Sequence, residues 1–342
     1  MPRQSFPRRL GIMVQGFWNG LSKPIRALAP MANVTDAAFR RMIAAKGNPD
    51  IIWTEFVSAD GLASAGREKL LPDLWFTETE RPDVAQFFSA KPELMYQAAL
   101  LAQELGLDGI DVNMGCPDKG VEKQGAGAAL MRNPELAKKI ILETKRGAGN
   151  LPVSVKTRIG YSENTIKDWL PYLLETEIAA IILHLRTRKE MSKVAAHWEV
   201  GREAVDIVNK YSPQGARTLI LGNGDCLTTQ EAEEKSKEYG LDGVMIGRGI
   251  FGNPWLFDKS GRIISSKEKL EAMLEHTKLF SDLYQIDPET GFGLKEFSVM
   301  KKHYKAYAHG FDGAKELRIK LMKTKNVSEV EAVTTDWILQ NS

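Results

Sequence analysis

The sequence predicts a (β/α)8 TIM barrel followed by a small all-helical C-terminal domain. Two observations carry this. Eight short apolar or β-branched runs alternate with helical patterns between about residues 25 and 246, and from about Ser266 onward the periodicity is helical only. The length of 342 residues fits a barrel of roughly 250 residues plus a small second unit. The expected division is an N-terminal extension over 1–20, a barrel over 21–264 and a helical domain over 265–342. An open doubly wound sheet is the alternative.

The elements follow in order. The first twenty residues are basic, and their apolar stretch is interrupted by Gln15, Gly16 and Asn19. They lack the h-region and cleavage site of a signal peptide, and no run is long or apolar enough to span a bilayer. The expected strands are Ile25–Ala29, Asp50–Thr54, Val84–Phe88, Gly109–Asn113, Val153–Lys156, Ala180–His184, Leu219–Leu221 and Gly243–Ile246. Several are continuous apolar runs, as strands buried on both faces should be. Thr35 is placed to cap a helix that Gly47 stops, and Lys91-Pro92 opens one that ends at Gly106. Asn133-Pro134 reads as a cap with proline at the first helical position. Thr228 and Glu231 are spaced as a capping box, with Gly240 as the stop.

Apolar residues make up 43% and charged residues 26%, which supports a large core and excludes a disordered chain. A net charge of +2 is too small to announce a nucleic-acid binder by itself. Residues 295–325, however, hold nine lysines and arginines against three acids, with His303, Tyr304 and Tyr307 interleaved. That stretch is expected to face RNA. The two cysteines, Cys116 and Cys226, give no disulfide framework and no zinc spacing, so a reducing cytoplasm and no metal are expected.

Polar and glycine-rich motifs sit at the C-terminal ends of the expected strands, the face on which barrel enzymes build their sites. Ala29-Pro30-Met31-Ala32 follows the first strand. Asn113-Met114-Gly115-Cys116-Pro117 puts a thiol in a turn after the fourth, where a group of pKa near 8.5 can act as a general acid. Val155-Lys156-Thr157-Arg158 and His184-Leu185-Arg186-Thr187-Arg188 make two cation-rich strand ends. They suit an anionic ligand, either a flavin ring with negative charge at N1 or a phosphate. Gly222-Asn223-Gly224-Asp225 and Gly247-Arg248-Gly249 follow strands seven and eight, where barrels bind phosphate. The G-x-G-x-x-G spacing of Gly247, Gly249 and Gly252 is not a dinucleotide fingerprint, because Asn253-Pro254-Trp255 follows in place of a long helix.

On these stretches, and on Asp242 to Gly249 with Asn253-Pro254-Trp255, the sequence resembles the tRNA-dihydrouridine synthase family. The resemblance runs in order from about residue 25 to 257, and the helical tail resembles that family's C-terminal RNA-binding domain. It implies FMN as cofactor, NADPH (or NADH) as reductant and tRNA as substrate. It implies that Pro30, Met31 and Ala32 lie against the flavin, and that Gln86, Lys156 and His184 contact its ring or ribityl chain. It implies that Asn223, Gly224, Asp225, Gly247 and Arg248 hold the phosphate, and that Asn113 and Arg158 help hold the uracil. Cys116 is then the proton donor to C5 after hydride reaches C6. A monomer is expected.

Two departures stand out. Leu185 replaces the glycine of the family's His-Gly-Arg-Thr-Arg, and Ala196-His197-Trp198 stands where the family has Ala-Asp-Trp. They touch substrate positioning more than flavin binding, and leave ribosomal RNA open as a substrate. An FMN barrel acting on a small molecule has no use for a basic helical tail, and a non-catalytic RNA-binding barrel has none for Cys116, Lys156 and His184.

Overall fold

The structure is a computed structural model that describes residues 15–212 and 217–341. The first fourteen residues of the expected extension lie outside that range.

Eight parallel strands form the barrel: β1 (Ile25–Leu28), β2 (Ile52–Ser58), β3 (Asp83–Phe88), β4 (Gly109–Met114), β5 (Val153–Arg158), β6 (Ala180–His184), β7 (Leu219–Asn223) and β8 (Gly243–Ile246). They pair in chain order from β2 to β8, and β8 pairs with β1. A parallel bridge between Ala27 and Ile51 closes the ring, with the Leu28 N–H donating to the Ile51 carbonyl at 3.0 Å. Closure excludes the open-sheet alternative. Strands β4, β5 and β7 run one or two residues past the expected ends, and β2 lies later than expected, with a register shift between Trp53 and Phe56. The extra residues of β5 and β7 include the polar Thr157, Arg158 and Asn223. In a barrel such residues can face the interior, so an apolar run ends before the strand does.

Side-chain alternation divides each strand between two cores. Ile25, Ala27, Trp53, Val84, Ile182, Leu221 and Met245 pack in the interior. Their neighbours Leu28, Ile52, Ala85, Ile110 and Val155 pack under the helices. Trp18 joins the interior cluster at 3% exposure, with its ring 6.0 Å from Trp53. The described part of the expected extension is therefore part of the barrel's core, because an apolar indole fits the open lower end of a ring of strands.

Among the described residues six helices of nine residues or more flank the barrel: α1 (Ala37–Lys46), α2 (Pro92–Glu104), α3 (Pro134–Ala148), α4 (Ile166–Leu174), α5 (Glu199–Tyr211) and α6 (Thr229–Tyr239). The β2–β3 connection has only one-turn helical pieces. Asp36, not Thr35, caps α1, with its carboxylate accepting from Phe39 N at 3.0 Å. Thr35 instead accepts from Met31 N at 2.9 Å and so fixes the loop after β1. At α6 the box stays half closed. Thr228 accepts from Glu231 N, but the Glu231 carboxylate takes the Leu227 N–H one residue too early.

The chain ends in α7 (Ser266–Leu283), α8 (Met300–Tyr307), α9 (Ala314–Leu321) and α10 (Val327–Gln340). Ser265 and Glu268 close a full capping box on α7. These helices share one core with the barrel. The Phe39 ring stacks on His276 at 4.8 Å, and the Tyr284 hydroxyl accepts from Ala37 N at 3.0 Å. Lys295 pairs with Asp73 at 2.8 Å and with Glu55. This corrects part of the charge reading. Lys295 is committed to buried carboxylates, and His303, Tyr304 and Tyr307 are fully buried on the inner face of α8. The remaining exposed cations include Lys302, Lys305, Lys315, Lys320, Lys323 and Lys325. Among the described residues no helix is long and apolar enough to cross a membrane.

Candidate active site

The strand phase that buries Val84, Ile182, Leu221 and Met245 also turns Gln86, His184, Asn223 and Gly247 inward, two residues nearer the C-terminal end. In the same phase β4 offers Asp111 and Asn113, and β5 offers Ser154, Lys156 and Arg158. One alternation thus builds an apolar floor and a polar ceiling. Two arrangements result, a cationic cleft and a buried polar chain leading to Cys116.

The cleft has a volume of about 260 Å³. Its walls are Ala29, Pro30 and Met31 from the loop after β1, Lys156, His184 and Arg186, and Asn223 to Cys226 with Met245, Gly247 and Arg248. Lys156 donates to Asn223 Oδ1 at 3.1 Å, and Asn223 Nδ2 donates to the Met245 carbonyl at 2.8 Å. Burial, and then Arg158, push Lys156 down to about 8. His184 is held well below its ordinary range by burial and by Arg158, Lys156, Arg186 and Arg248. Arg186 Nη1 lies 3.3 Å from His184 Nε2. A guanidinium can only donate, so Nε2 accepts and the proton sits on Nδ1. Asp225 is the carboxylate of the cleft; it binds Arg186 and, at 2.5 Å, Arg248, and accepts from Ala196 N. The result is an excess of positive charge in a partly enclosed space, which an anion would relieve.

The second arrangement lies under the β4 loop. Ser154 Oγ donates to Asp111 Oδ1 at 2.5 Å, Gln86 Nε2 to Asp111 Oδ2 at 2.6 Å, and Asn113 Nδ2 to Gln86 Oε1 at 2.9 Å. Burial raises Asp111 to about 6 against the pull of these donors and of Lys156. Asn113 Oδ1 then accepts from Gly115 N at 3.2 Å and Cys116 N at 2.9 Å. From the other side Arg158 Nε donates to the Gly115 carbonyl at 2.7 Å, and Nη1 reaches Thr187 O and Met191 O. The Cys116 carbonyl accepts from Ala128 N at 3.0 Å. Gly127, at φ +60°, passes so near that a Cβ would lie 2.8 Å from that oxygen. Cys116 therefore sits on a backbone fixed from several directions. Its thiol is half-buried beside Phe88 and Val121, and burial pushes it above the ordinary thiol range.

Of the expected site residues, Pro30, Met31, Lys156, His184, Asn223, Gly224, Asp225, Gly247 and Arg248 line the cleft. Ala32 is exposed just beyond it. Gln86, Asn113 and Arg158 are buried; Asn113 and Arg158 bond to the loops around Cys116, and Gln86 bonds to Asp111 and Asn113 within β4. Asp225 meets arginines through its carboxylate, so only its backbone is suited to a phosphate. Arg186 and Ser192 were not singled out by sequence reasoning, yet both line the cleft. Leu185 is fully buried in the outer core, so its replacement of glycine does not intrude on the cleft. His197 Nε2 lies 2.9 Å from Glu190 Oε1, and Glu190 also accepts from Thr187 N, so the second departure helps shape the loop after β6. Among the described residues no group of three or more metal-ligating side chains converges.

Comparison with known proteins agrees along nearly the whole chain. The family model for dihydrouridine synthase matches residues 27–341. A Staphylococcus aureus (strain COL) protein named "Probable tRNA-dihydrouridine synthase" is 40% identical over 330 residues, covering 96% of this chain and 97% of its own. A Bacillus subtilis (strain 168) protein, "Probable tRNA-dihydrouridine synthase 2", is 39% identical over 327 residues, covering 95% and 97%. A 2-naphthoyl-CoA reductase structure shares the fold at a TM-score of 0.51 and 13% identity, over 68% of this chain and 49% of that one.

Proposed function

The chain belongs to the dihydrouridine synthase family, and we propose that it reduces the C5–C6 bond of uridines in tRNA to 5,6-dihydrouridine, using FMN and NADPH in a cytoplasmic setting. One observation carries the reading: a cleft with excess positive charge and a half-buried thiol on a fixed loop lie at the same end of one barrel.

FMN suits the cleft by the chemistry of its donors. Arg186, Arg248 and the backbone at Gly224, Asp225 and Gly247 would hold the phosphate. Lys156 and His184 would lie toward the ring, with Pro30 and Met31 against its face. When bound, the flavin supplies to uracil C6 the reducing equivalents drawn from NADPH. The chain's own residues do the rest. Cys116 keeps a proton for C5. Asn113, Gln86 and Arg158 hold the loop that carries it, and the exposed lysines of the helical region draw RNA phosphates toward the barrel mouth. Because the target base must leave its stack, those contacts also offset a cost of a few kcal/mol. Incubating the purified protein with an unmodified tRNA transcript and NADPH should give dihydrouridine by nucleoside mass spectrometry. Absence of that product, with flavin bound, would refute the reading.

Lys156→Met is expected to separate cofactor binding from stability. Lys156 has its pKa depressed from 10.5 to about 8, so the folded chain holds fewer protons than the unfolded chain between those values. Its charge opposes folding below pH 8, and stability rises with pH across that window. Removing the charge at neutral pH should stabilise the apoprotein by up to about 3 kcal/mol, at ~1.4 kcal/mol per pKa unit. The same change should weaken FMN binding. Thermal melts of apoprotein and a flavin titration check both signs; a less stable variant with unchanged flavin affinity contradicts the assignment.

A further inference from the structure

We propose that Phe292, on the turn over residues 287–294, is a stacking platform for an unpaired RNA base flanking the target uridine, with Lys301 and Lys325 taking the adjoining phosphates. The proposal rests on the RNA reading above and gives it a place on the surface.

Phe292 is 62% exposed, yet the backbone beneath it is tightly built. Asp287 Oδ1 accepts from Glu289 N, Thr290 N and Thr290 Oγ1 at 2.7–3.0 Å. Asp287 N donates to the Phe292 carbonyl at 2.9 Å, and Gly291 N to the Asp287 carbonyl at 2.8 Å. Gly291 holds φ +74°, and a Cβ on Gly293 would lie 2.4 Å from the Tyr284 carbonyl. The turn therefore presents the ring in one place, which lowers the entropy lost on binding.

The surroundings choose the partner. Phe292 borders a cavity of about 170 Å³ with Thr290, Lys301 and Lys325, and with Glu289 and Glu296. A second cavity, of about 530 Å³, is bordered by Lys69 and Lys302 and shares Glu296 and Ser298 with the first. It reaches Asn33, two residues beyond Met31 on the wall of the cationic cleft. Among the described residues Lys69, Lys301, Lys302 and Lys325 have no ion-pair partner, whereas Lys295 between them is bound to Glu55 and Asp73. An exposed aromatic face beside two cavities where five lysines outnumber three acids, on a path that ends at the cleft, is the pattern that binds single-stranded nucleic acid. A protein partner would ask for a wider apolar surface. A base still in a helix would have no face to offer, so the nucleotide is unpaired.

The test uses the flavin-loaded full chain, a tRNA transcript and NADPH. Phe292→Ala should raise KM for RNA by roughly tenfold to a hundredfold, the range expected of one lost base stack, with kcat and flavin reduction unchanged. Phe292→Leu should behave alike, because bulk without a π-face cannot stack. Phe292→Trp should keep the parent KM and add a fluorescence signal that RNA quenches. An unchanged KM in Phe292→Ala overturns the proposal, as does full rescue by Phe292→Leu, which would mean simple apolar contact. Self-association that Phe292→Ala abolishes would assign the turn to a second copy and overturn it too. If the parent makes no dihydrouridine, the RNA reading itself has failed; if the parent is active and Phe292→Ala matches it, only the stacking site has.

Discussion

Cys116→Ala is expected to be reduced by NADPH at the parent rate and to lose nearly all transfer to RNA. The loop is held mainly through its backbone: Cys116 N is bound by Asn113, its carbonyl by Ala128 N, and Gly115 by Arg158, while the thiol adds only the hydrogen bond it accepts from the Asp118 backbone. Alanine should leave that loop, the cleft and the flavin in place, so only the acid is lost. A positioned general acid is worth ~10²–10⁴ in rate. Burial raises the thiol above the ordinary thiol range, opposed by a hydrogen bond from the Asp118 backbone and by Arg158 and Lys156. The proton is therefore present throughout the neutral range. The RNA half-reaction should be flat with pH there and fall only above the ordinary thiol range, because a group with a raised pKa keeps its proton longer. Cys116→Ser, a far weaker acid on the same backbone, should also be slow. Stopped-flow traces of the two half-reactions decide. A Cys116→Ala protein that reoxidises with RNA like the parent takes its proton from elsewhere.

How far the sequence was legible follows from which forces are local. The interior cluster from Ile25 to Met245 announces itself as short apolar runs, and strand phase alone places Lys156, His184 and Asn223 on one rim. Strand ends are not legible where polar side chains face inward, as at Arg158. Arg186 is legible only as part of a cation-rich strand end, because its partner Asp225 lies 39 residues away and only barrel closure brings them together. The tail misled in a similar way. Lysines at helical spacing look alike whether they face solvent or, as with Lys295, a carboxylate 240 residues earlier in the chain. His303 and Tyr307 look polar until α8 is seen to turn them against Phe39 and His276.

That burial makes Lys295→Met the most damaging change expected outside the cleft. Lys295 is 11% exposed between Glu55 at 5% and Asp73 at 19%, and it ties the helical region to the barrel beside the loop after β1, since Glu55 also accepts from Asn33 N. Burial alone would push Lys295 down; Glu55 and Asp73 instead hold it above its ordinary value. Breaking a buried pair by removing one partner costs about 3–5 kcal/mol, because the other charge is left unpaired. The loss should depend on pH with a definite sign. Burial lifts Glu55 to about 7 even with Lys295 present, and without it the carboxyl should rise further. From about 4.5 up to that value the folded chain holds more protons than the unfolded chain, so stability falls as pH rises. The melting temperature of Lys295→Met should therefore lie closer to the parent at pH 5.5 than at pH 8. Adding Glu55→Gln should recover most of the loss and flatten the pH dependence, since the amide oxygen can still accept from Asn33 N. A gap that is equal at both pH values, or that Glu55→Gln widens, would mean that Lys295 stabilises the junction by packing and not by its charge.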